Sequence, residues 1–400
     1  MEDVTFHRKP LPQSSIAFDS EEGTSLLTRS LANNSARSAL RLLSVFQTQQ
    51  EPAFCALASV ATALNALAID PKRTWKGVWR WFSEELLRCC IPLQVVAEQG
   101  VALDEAACLA ACNGAEAKVI RPPPELWLPS EAGIAAASVE GEAFNAYVDQ
   151  LKATLHECCD GKSGDPVNDI LLACYDRLAL DQTGGGHFSP IGAVDWTTEK
   201  VLILDVARFK LPPHWVSIRS LAAATLSTDH SSHKSRGFMV VSRPVQPVED
   251  MPALRFDQLL QALQGIKKEW QRTAPSLRSS NEEYILASAA SLFSQEREQS
   301  ADAFSALFRP FEVCCGGQAR CGSRMVGDLL EAADRCRPPQ MPKMIWILML
   351  LARDAIIQPF QSNPELVAAL SARLSVPETE VALSSEIDRL RTLFLFTETT

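Results

Sequence analysis

The chain has 400 residues, with 38 lysines and arginines against 48 aspartates and glutamates, for a net charge of −10. Hydrophobic residues make up 46% and charged residues 22%, an ordinary globular balance that excludes disordered, collagen-like and low-complexity chains. An acidic chain with six histidines lacks the basic face that sequence-independent nucleic-acid binding needs, and its length suits two domains with a core each.

The stretch from Met1 to Ser15 has no apolar core of the signal-peptide kind. Twelve cysteines are too few for a disulfide-built secreted scaffold, so a reducing, cytoplasmic setting is expected. The first segment that bears chemistry is Gln49-Gln50-Glu51-Pro52-Ala53-Phe54-Cys55, running into an Ala/Leu-rich stretch that ends at Leu67 and favours helix. Pro52 cannot lie inside a helix, so Cys55 is predicted in or just before the first turn. There the free N–H groups and positive end of the helix favour thiolate over thiol. Most free cysteines are inert packing, so this position gains meaning only with partners. Trp75, Trp79 and Trp81 read as packing residues of the first domain rather than a stacking platform for bases.

Further along, His187 follows Gly184-Gly185-Gly186 and opens the β-like run Phe188 to Val194, while Asp205 closes the run Val201-Leu202-Ile203-Leu204. The midpoint of His187 and Asp205 falls at position 196, inside a polar stretch from Asp195 to Lys200. Two antiparallel strands hinged there would bring the imidazole and the carboxylate together, within the uncertainty of the register. A cysteine nucleophile needs a histidine to take its proton and a third group to orient that histidine.

Another short strand is expected at Gly237-Phe238-Met239-Val240-Val241. The Pro-punctuated segment from Arg243 to Pro252 then marks a boundary, giving an α+β domain over 1–243 and a mostly helical one over 244–400. In the latter, Phe256, Leu259, Leu260, Leu263 and Ile266, and then Leu383, Ile387 and Leu390, recur at helical spacing. The longest apolar run, Met344 to Ala352, has nine residues, about half of what spans a bilayer, and reads as a buried helix; no membrane partner is expected. Phosphate-loop, HExxH and dinucleotide-binding patterns are absent from the sequence.

Four ordered motifs resemble the phytochelatin synthase family, the glutathione γ-glutamylcysteinyltransferases. They are Phe46-Gln47-Thr48-Gln49-Gln50-Glu51-Pro52-Ala53-Phe54-Cys55; Leu64-Asn65-Ala66-Leu67-Ala68-Ile69-Asp70-Pro71 with Trp75-Lys76-Gly77-Val78-Trp79-Arg80-Trp81-Phe82; Gly186-His187-Phe188-Ser189-Pro190-Ile191-Gly192; and Leu202-Ile203-Leu204-Asp205-Val206-Ala207-Arg208-Phe209-Lys210 with Pro212-Pro213-His214-Trp215. The resemblance implies a papain-like cysteine peptidase fold for the catalytic domain, a triad of Cys55, His187 and Asp205, and Gln49 at the oxyanion hole. It implies an acyltransferase that joins γ-glutamylcysteine units from glutathione into metal-chelating peptides in response to cadmium, zinc and related soft metals.

On this reading glutathione and its metal complex are the partners and phytochelatin the product. Arg208 is a candidate for holding a glutathione carboxylate. Cys89, Cys90, Cys108 and Cys112 are candidate metal ligands, the last two sharing a helix face at i, i+4 spacing. They do not make a CxxC pair of pairs, and neither do Cys314, Cys315, Cys321 and Cys336. A metal delivered as the bis-glutathione thiolate complex needs no fixed ligand set on the protein, and is the expected source of metal dependence. Two alternatives stand beside transfer: a peptidase that removes glycine from glutathione or its S-conjugates, and a non-catalytic cysteine-rich metal buffer. Two departures from the family pattern bear on these. Ala56 stands where family members usually have glycine, and the loop before His187 is longer, taking in Glu157 to Gly164.

Overall fold

The computed structural model describes residues 7–89, 91, 93–129, 139–161, 166–246, 251–277, 280, 282–299, 349 and 356–375. It divides into two compact units, Met1–Glu249 and Asp250–Thr400.

In the first unit, seven described strands form one antiparallel sheet in the order β1-β6-β5-β4-β3-β7-β2. They are β1 (Ile16–Ala17), β2 (Glu116–Ile120), β3 (Asp169–Asp176), β4 (Gly186–Asp195), β5 (Lys200–Ile203), β6 (His214–Ser217) and β7 (Gly237–Ser242). Helices cover the sheet: α1 (Glu21–Ala32), α2 (Arg37–Val45), α3 (Cys55–Ala66), α4 (Leu93–Gln99), α5 (Leu103–Cys112), α6 (Glu142–Cys159) and α7 (Ile218–Ala224). Mixed helix and antiparallel sheet is the expected α+β class.

The central strands explain why the sheet needs helices on both sides. Seven of the eight residues of β3 and nine of the ten of β4 are buried, whereas a strand facing water on one side would alternate. Leu171, Ala173 and Tyr175 of β3 join Phe144, Tyr147, Val148, Leu151 and Leu155 of α6 and Leu221 of α7 in one apolar cluster. Their neighbours Ile170, Leu172 and Cys174 are also buried, on the opposite face by strand alternation. Helices α1, α2 and α3 pack against β4. Helix α3 is buried at every residue from Ala56 to Ala66, as a helix that is apolar all round should be.

The hinge between β4 and β5 lies at the polar stretch read from the sequence. Asp195 pairs with Lys200 and Val194 with Val201, and a bulge shifts the register before Ile191 meets Ile203. Asp195 fixes this turn: its carboxylate accepts from the Thr198 N–H at 3.1 Å and forms an ion pair with Arg29 of α1 at 2.9 Å.

Two sequence readings change. Glu157, Cys158 and Cys159 are the last residues of α6, not part of a loop before His187. Trp79 is 71% exposed beside Val78 at 82%, so it is not a packing residue. Trp75 N–H donates to the Trp79 carbonyl at 2.8 Å and Trp79 N–H to the Lys76 carbonyl at 3.0 Å, a tight turn in which Gly77 takes a φ of +56° and the two apolar side chains are carried outward.

In the second unit, helices α8 (Pro252–Thr273) and α9 (Glu282–Gln299) and a further helix at Pro364–Arg373 are described. Ile266, Trp270, Ile285, Met349, Phe360, Leu366 and Leu370 are buried, and the Trp270 indole donates to the Ile356 carbonyl at 3.2 Å. Leu383, Ile387, Leu390, Cys314, Cys315, Cys321, Cys336 and the rest of the Met344 to Ala352 run lie outside the described residues. No described helix is long and apolar enough to cross a membrane.

Candidate active site

Cys55 is the first residue of α3 and remains partly exposed while the rest of the helix is buried. The chain reaches it through Phe54, whose side chain makes no capping hydrogen bond. The first-turn N–H groups, which have no intrahelical acceptor, therefore sit beside the sulfur uncapped by that residue. His187 comes from the start of β4. Its Nε2 is 2.9 Å from Asp205 Oδ1, which leaves Nδ1 as the ring nitrogen available to Cys55, whose thiol pKa His187 lowers. Asp205 lies two residues beyond the end of β5 and is wholly buried. The Tyr175 ring meets the imidazole edge-on, with centroids 5.7 Å apart, which limits rotation of the ring.

These contacts set the charges. Burial pushes the Cys55 thiol up, but the His187 charge, its hydrogen bond, the Phe188 backbone N–H and Arg177 together bring it below the ordinary thiol value. Burial disfavours protonated His187, yet Asp205 and the Cys55 charge hold it above the usual imidazole range. Asp205 is depressed against its own burial by the charge and hydrogen bond of His187, then by Arg177. Both shifts favour the thiolate and imidazolium form of the pair over the neutral one. The contrast with other cysteines is sharp: burial pushes Cys158 up to about 12, and Cys159 and Cys174 also rise.

A second layer lies behind the carboxylate. Arg177 Nη2 donates to Asp205 Oδ1 at 2.9 Å and lies 2.8 Å from Oδ2. Its Nη1 donates to Gln182 Oε1 at 2.9 Å, and Gln182 Nε2 is 2.8 Å from His214 Nε2. His214 Nδ1 is 2.9 Å from the Pro212 carbonyl. A ring that donates from Nδ1 to a carbonyl leaves a bare Nε2 to accept from an amide, so His214 is neutral here, in keeping with the burial that lowers its pKa. None of Arg177, Gln182 and His214 was singled out from the sequence as a site residue. His214 stood in a resembling motif, but nothing in the linear chain pairs it with Gln182.

Gln49 is 3% exposed, and its backbone N–H donates to the Val206 carbonyl at 3.0 Å, beside Asp205. Its side-chain Nε2 donates to the carbonyls of Glu51 and Pro52, both at 2.8 Å, while Oε1 is buried without a partner. Two carbonyl acceptors fix which end of the amide is nitrogen. Both Nε2 protons are engaged inside the loop in this arrangement, so donation to an oxyanion would require sharing one of them.

Arg208 is exposed and lies over the Phe46 ring, 5.3 Å from its centroid. Among the candidate metal ligands, Cys89, Cys108 and Cys112 are buried. Cys108 Sγ and Cys112 Sγ are 3.9 Å apart, and Asn113 Nδ2 is 3.6 Å from Cys89 Sγ. Cys108 is disulfide-bonded. Cys90 lies outside the described residues. Among the described residues no group of three or more His, Cys, Asp or Glu side chains is placed to hold a metal ion. Ala56 is wholly buried, so its methyl group packs into the domain rather than lining an accessible cleft.

Comparison with known proteins gives a consistent result. The family model described as phytochelatin synthase matches residues 6–238. Glutathione gamma-glutamylcysteinyltransferase 1 of Arabidopsis thaliana is 42% identical over 242 residues, 60% of this chain and 44% of the relative. The protein of that name from Lotus japonicus is 41% identical over 239 residues, 60% of this chain and 42% of the relative. Glutathione gamma-glutamylcysteinyltransferase of Schizosaccharomyces pombe is 33% identical over 237 residues, covering 59% and 51%. The chain spans about half the length of the curated relatives it matches.

Proposed function

This chain belongs to the phytochelatin synthase family, and on that premise we propose that its first unit transfers γ-glutamylcysteine from glutathione to a second glutathione or to a growing phytochelatin. The observation that carries the reading is the buried 2.9 Å contact of His187 with Asp205, joined to the lowering of the Cys55 thiol below its ordinary pKa by His187.

The Cys55 thiolate attacks the carbonyl carbon of the Cys–Gly peptide bond. The developing oxyanion is stabilised by the first-turn N–H groups of α3 and by the Gln49 amide once a loop carbonyl releases one of its protons. Collapse breaks the C–N bond, and His187 Nδ1 gives its proton to the departing glycine nitrogen. A γ-glutamylcysteinyl thioester remains on Cys55. The α-amine of a second glutathione then attacks the thioester and loses a proton to His187, and the new peptide leaves with the thiol restored. Water in place of the amine gives hydrolysis through the same acyl-enzyme, which is the peptidase alternative. Arg208, three residues beyond Asp205, is the candidate for a substrate carboxylate.

Metal enters as part of the substrate. A cadmium or zinc ion held by two glutathione thiolates masks those thiols and brings a second peptide to the site, so stimulation requires no ligand cluster on the protein. The free thiols at Cys158, Cys159 and Cys174 suit a cytoplasmic setting.

Mass spectrometry of products formed from glutathione, with and without cadmium, tests the reading. Oligomeric γ-glutamylcysteine peptides support transfer, and γ-glutamylcysteine alone supports hydrolysis. A Cys55→Ser variant that makes no product distinguishes both from a metal buffer, whose binding would be untouched.

A further inference from the structure

The loop that carries Gln49 and leads into Cys55 is held from two sides. On one side Gln49 N–H donates to the Val206 carbonyl at 3.0 Å. On the other, Gln50 N–H is shared between the two carboxylate oxygens of Glu84, at 3.2 and 3.1 Å. Glu84 is 1% exposed and opens a 3₁₀ turn, Glu84–Leu86. That turn is anchored on α3: Asn65 Nδ2 donates to the Phe82 carbonyl at 2.9 Å, and Asn65 Oδ1 accepts from the Phe82 N–H at 3.1 Å.

The charge is poorly provided for. Gln50 N–H is the donor described for the two oxygens, and no cation is paired with them among the described residues. The ionisable groups that bear on it are Glu51 in the loop and Glu85 in the same turn, both of which disfavour a second negative charge. Helix α3, which packs against the turn, has no titratable side chain except Cys55, and Arg73 reaches the carbonyl of Leu86 rather than the carboxylate. Burial and these neighbours push Glu84 up to about 7. A buried carboxylate with one donor is expensive to keep, and what it provides is a charge-assisted hold on one backbone N–H.

We propose that Glu84 is a positioning residue for the Gln49–Cys55 loop, whose ionised carboxylate fixes the Gln50 N–H and releases it on protonation, so that acylation depends on this group as well as on Cys55 and His187. The proposal rests on the catalytic reading above. It deepens that reading by assigning an acid-side control to a side chain that touches no reacting atom.

The test uses the full-length chain and its Glu84→Gln and Glu84→Ala variants between pH 5.5 and 8.5. Two rates are followed: the first-turnover release of glycine from glutathione, and alkylation of Cys55 by iodoacetamide, which reports the thiolate alone. Hydrogen exchange at the Gln50 amide is measured over the same range. In the wild type, glycine release should fall through pH 7 by about tenfold more than alkylation does, and Gln50 protection should fall with it. Both variants should lose that extra limb and run parallel to alkylation, about tenfold below wild type at pH 8. A uniform drop that keeps the wild-type limb would make Glu84 merely structural and overturn the proposal, as would wild-type Gln50 protection that ignores pH. Wild-type enzyme that releases no glycine would sink the catalytic reading, while the exchange measurement would still decide whether Glu84 holds the loop.

Discussion

The guanidinium of Arg177 lies against the carboxylate of Asp205, with Nη2 2.9 Å from Oδ1 and 2.8 Å from Oδ2, and both side chains are shut off from solvent. Asp205 therefore serves two cations, Arg177 and protonated His187. Oδ1 alone accepts from His187, from Arg177 and from the Ala207 N–H. Holding the carboxylate from behind fixes the direction in which it presents itself to the imidazole.

Arg177→Met should accordingly destabilise the fold by about 3–5 kcal/mol, because it strands a buried carboxylate whose second cation is gone. Urea unfolding at pH 7 measures this. Since Arg177 lowers both Cys55 and His187, alkylation of Cys55 in the variant should also shift to higher pH. An unchanged midpoint and profile would mean that the pair carries no weight.

The depressed pKa of Cys55 and the raised pKa of His187 both favour a thiolate–imidazolium pair. Iodoacetamide alkylation should hence stay on a plateau at pH values where an ordinary thiol is protonated. In His187→Ala the principal opposing influence on the buried thiol is lost, and alkylation at pH 7 should fall at least tenfold. Equal rates in the two proteins would contradict the arrangement.

Glu84 should cost stability as pH rises. Its folded value of about 7 against an ordinary 4.5 means that the folded state holds more protons than the unfolded one between those values, so stability falls across that window. Glu84→Gln should match wild type at pH 4 and exceed it by up to about 3 kcal/mol at pH 8, as read from unfolding curves at both pH values. A constant offset would remove the linkage.

Because the Ala56 methyl is enclosed, Ala56→Gly should leave the ratio of transfer to hydrolysis where it is and cost about 1 kcal/mol of stability. Product analysis and thermal unfolding of the same preparation decide it. A change of ratio would place the methyl in the acceptor path.

If metal arrives as the glutathione complex, residues 1–249 alone should keep cadmium-stimulated transfer. Loss of stimulation with glycine release intact would instead assign metal sensing to the second unit.

The sequence alone fixed the local features of this site. Pro52 followed by an Ala/Leu-rich run starts a helix at Cys55, because proline bars helix upstream and alanine and leucine favour it downstream. The polar stretch after Val194 folds two apolar runs into a hairpin that carries His187 towards Asp205. Beyond that, the linear chain is silent. Whether the hairpin register delivers the imidazole to the carboxylate depends on a bulge between Ile191 and Val194, since one inserted residue changes which side chains face each other. Arg177, Gln182, His214 and Glu84 reach the site only through contacts between segments distant in sequence, and no spacing rule announces those. Trp79 shows the converse: an aromatic residue in an apolar motif reads as core, and only the turn at Gly77 sends it to the surface. Short-range propensity settles helix starts and turns because it acts over a few residues. Burial and charge pairing act through space, so the tertiary structure alone decided which carboxylates are neutralised and which are left exposed to their own repulsion.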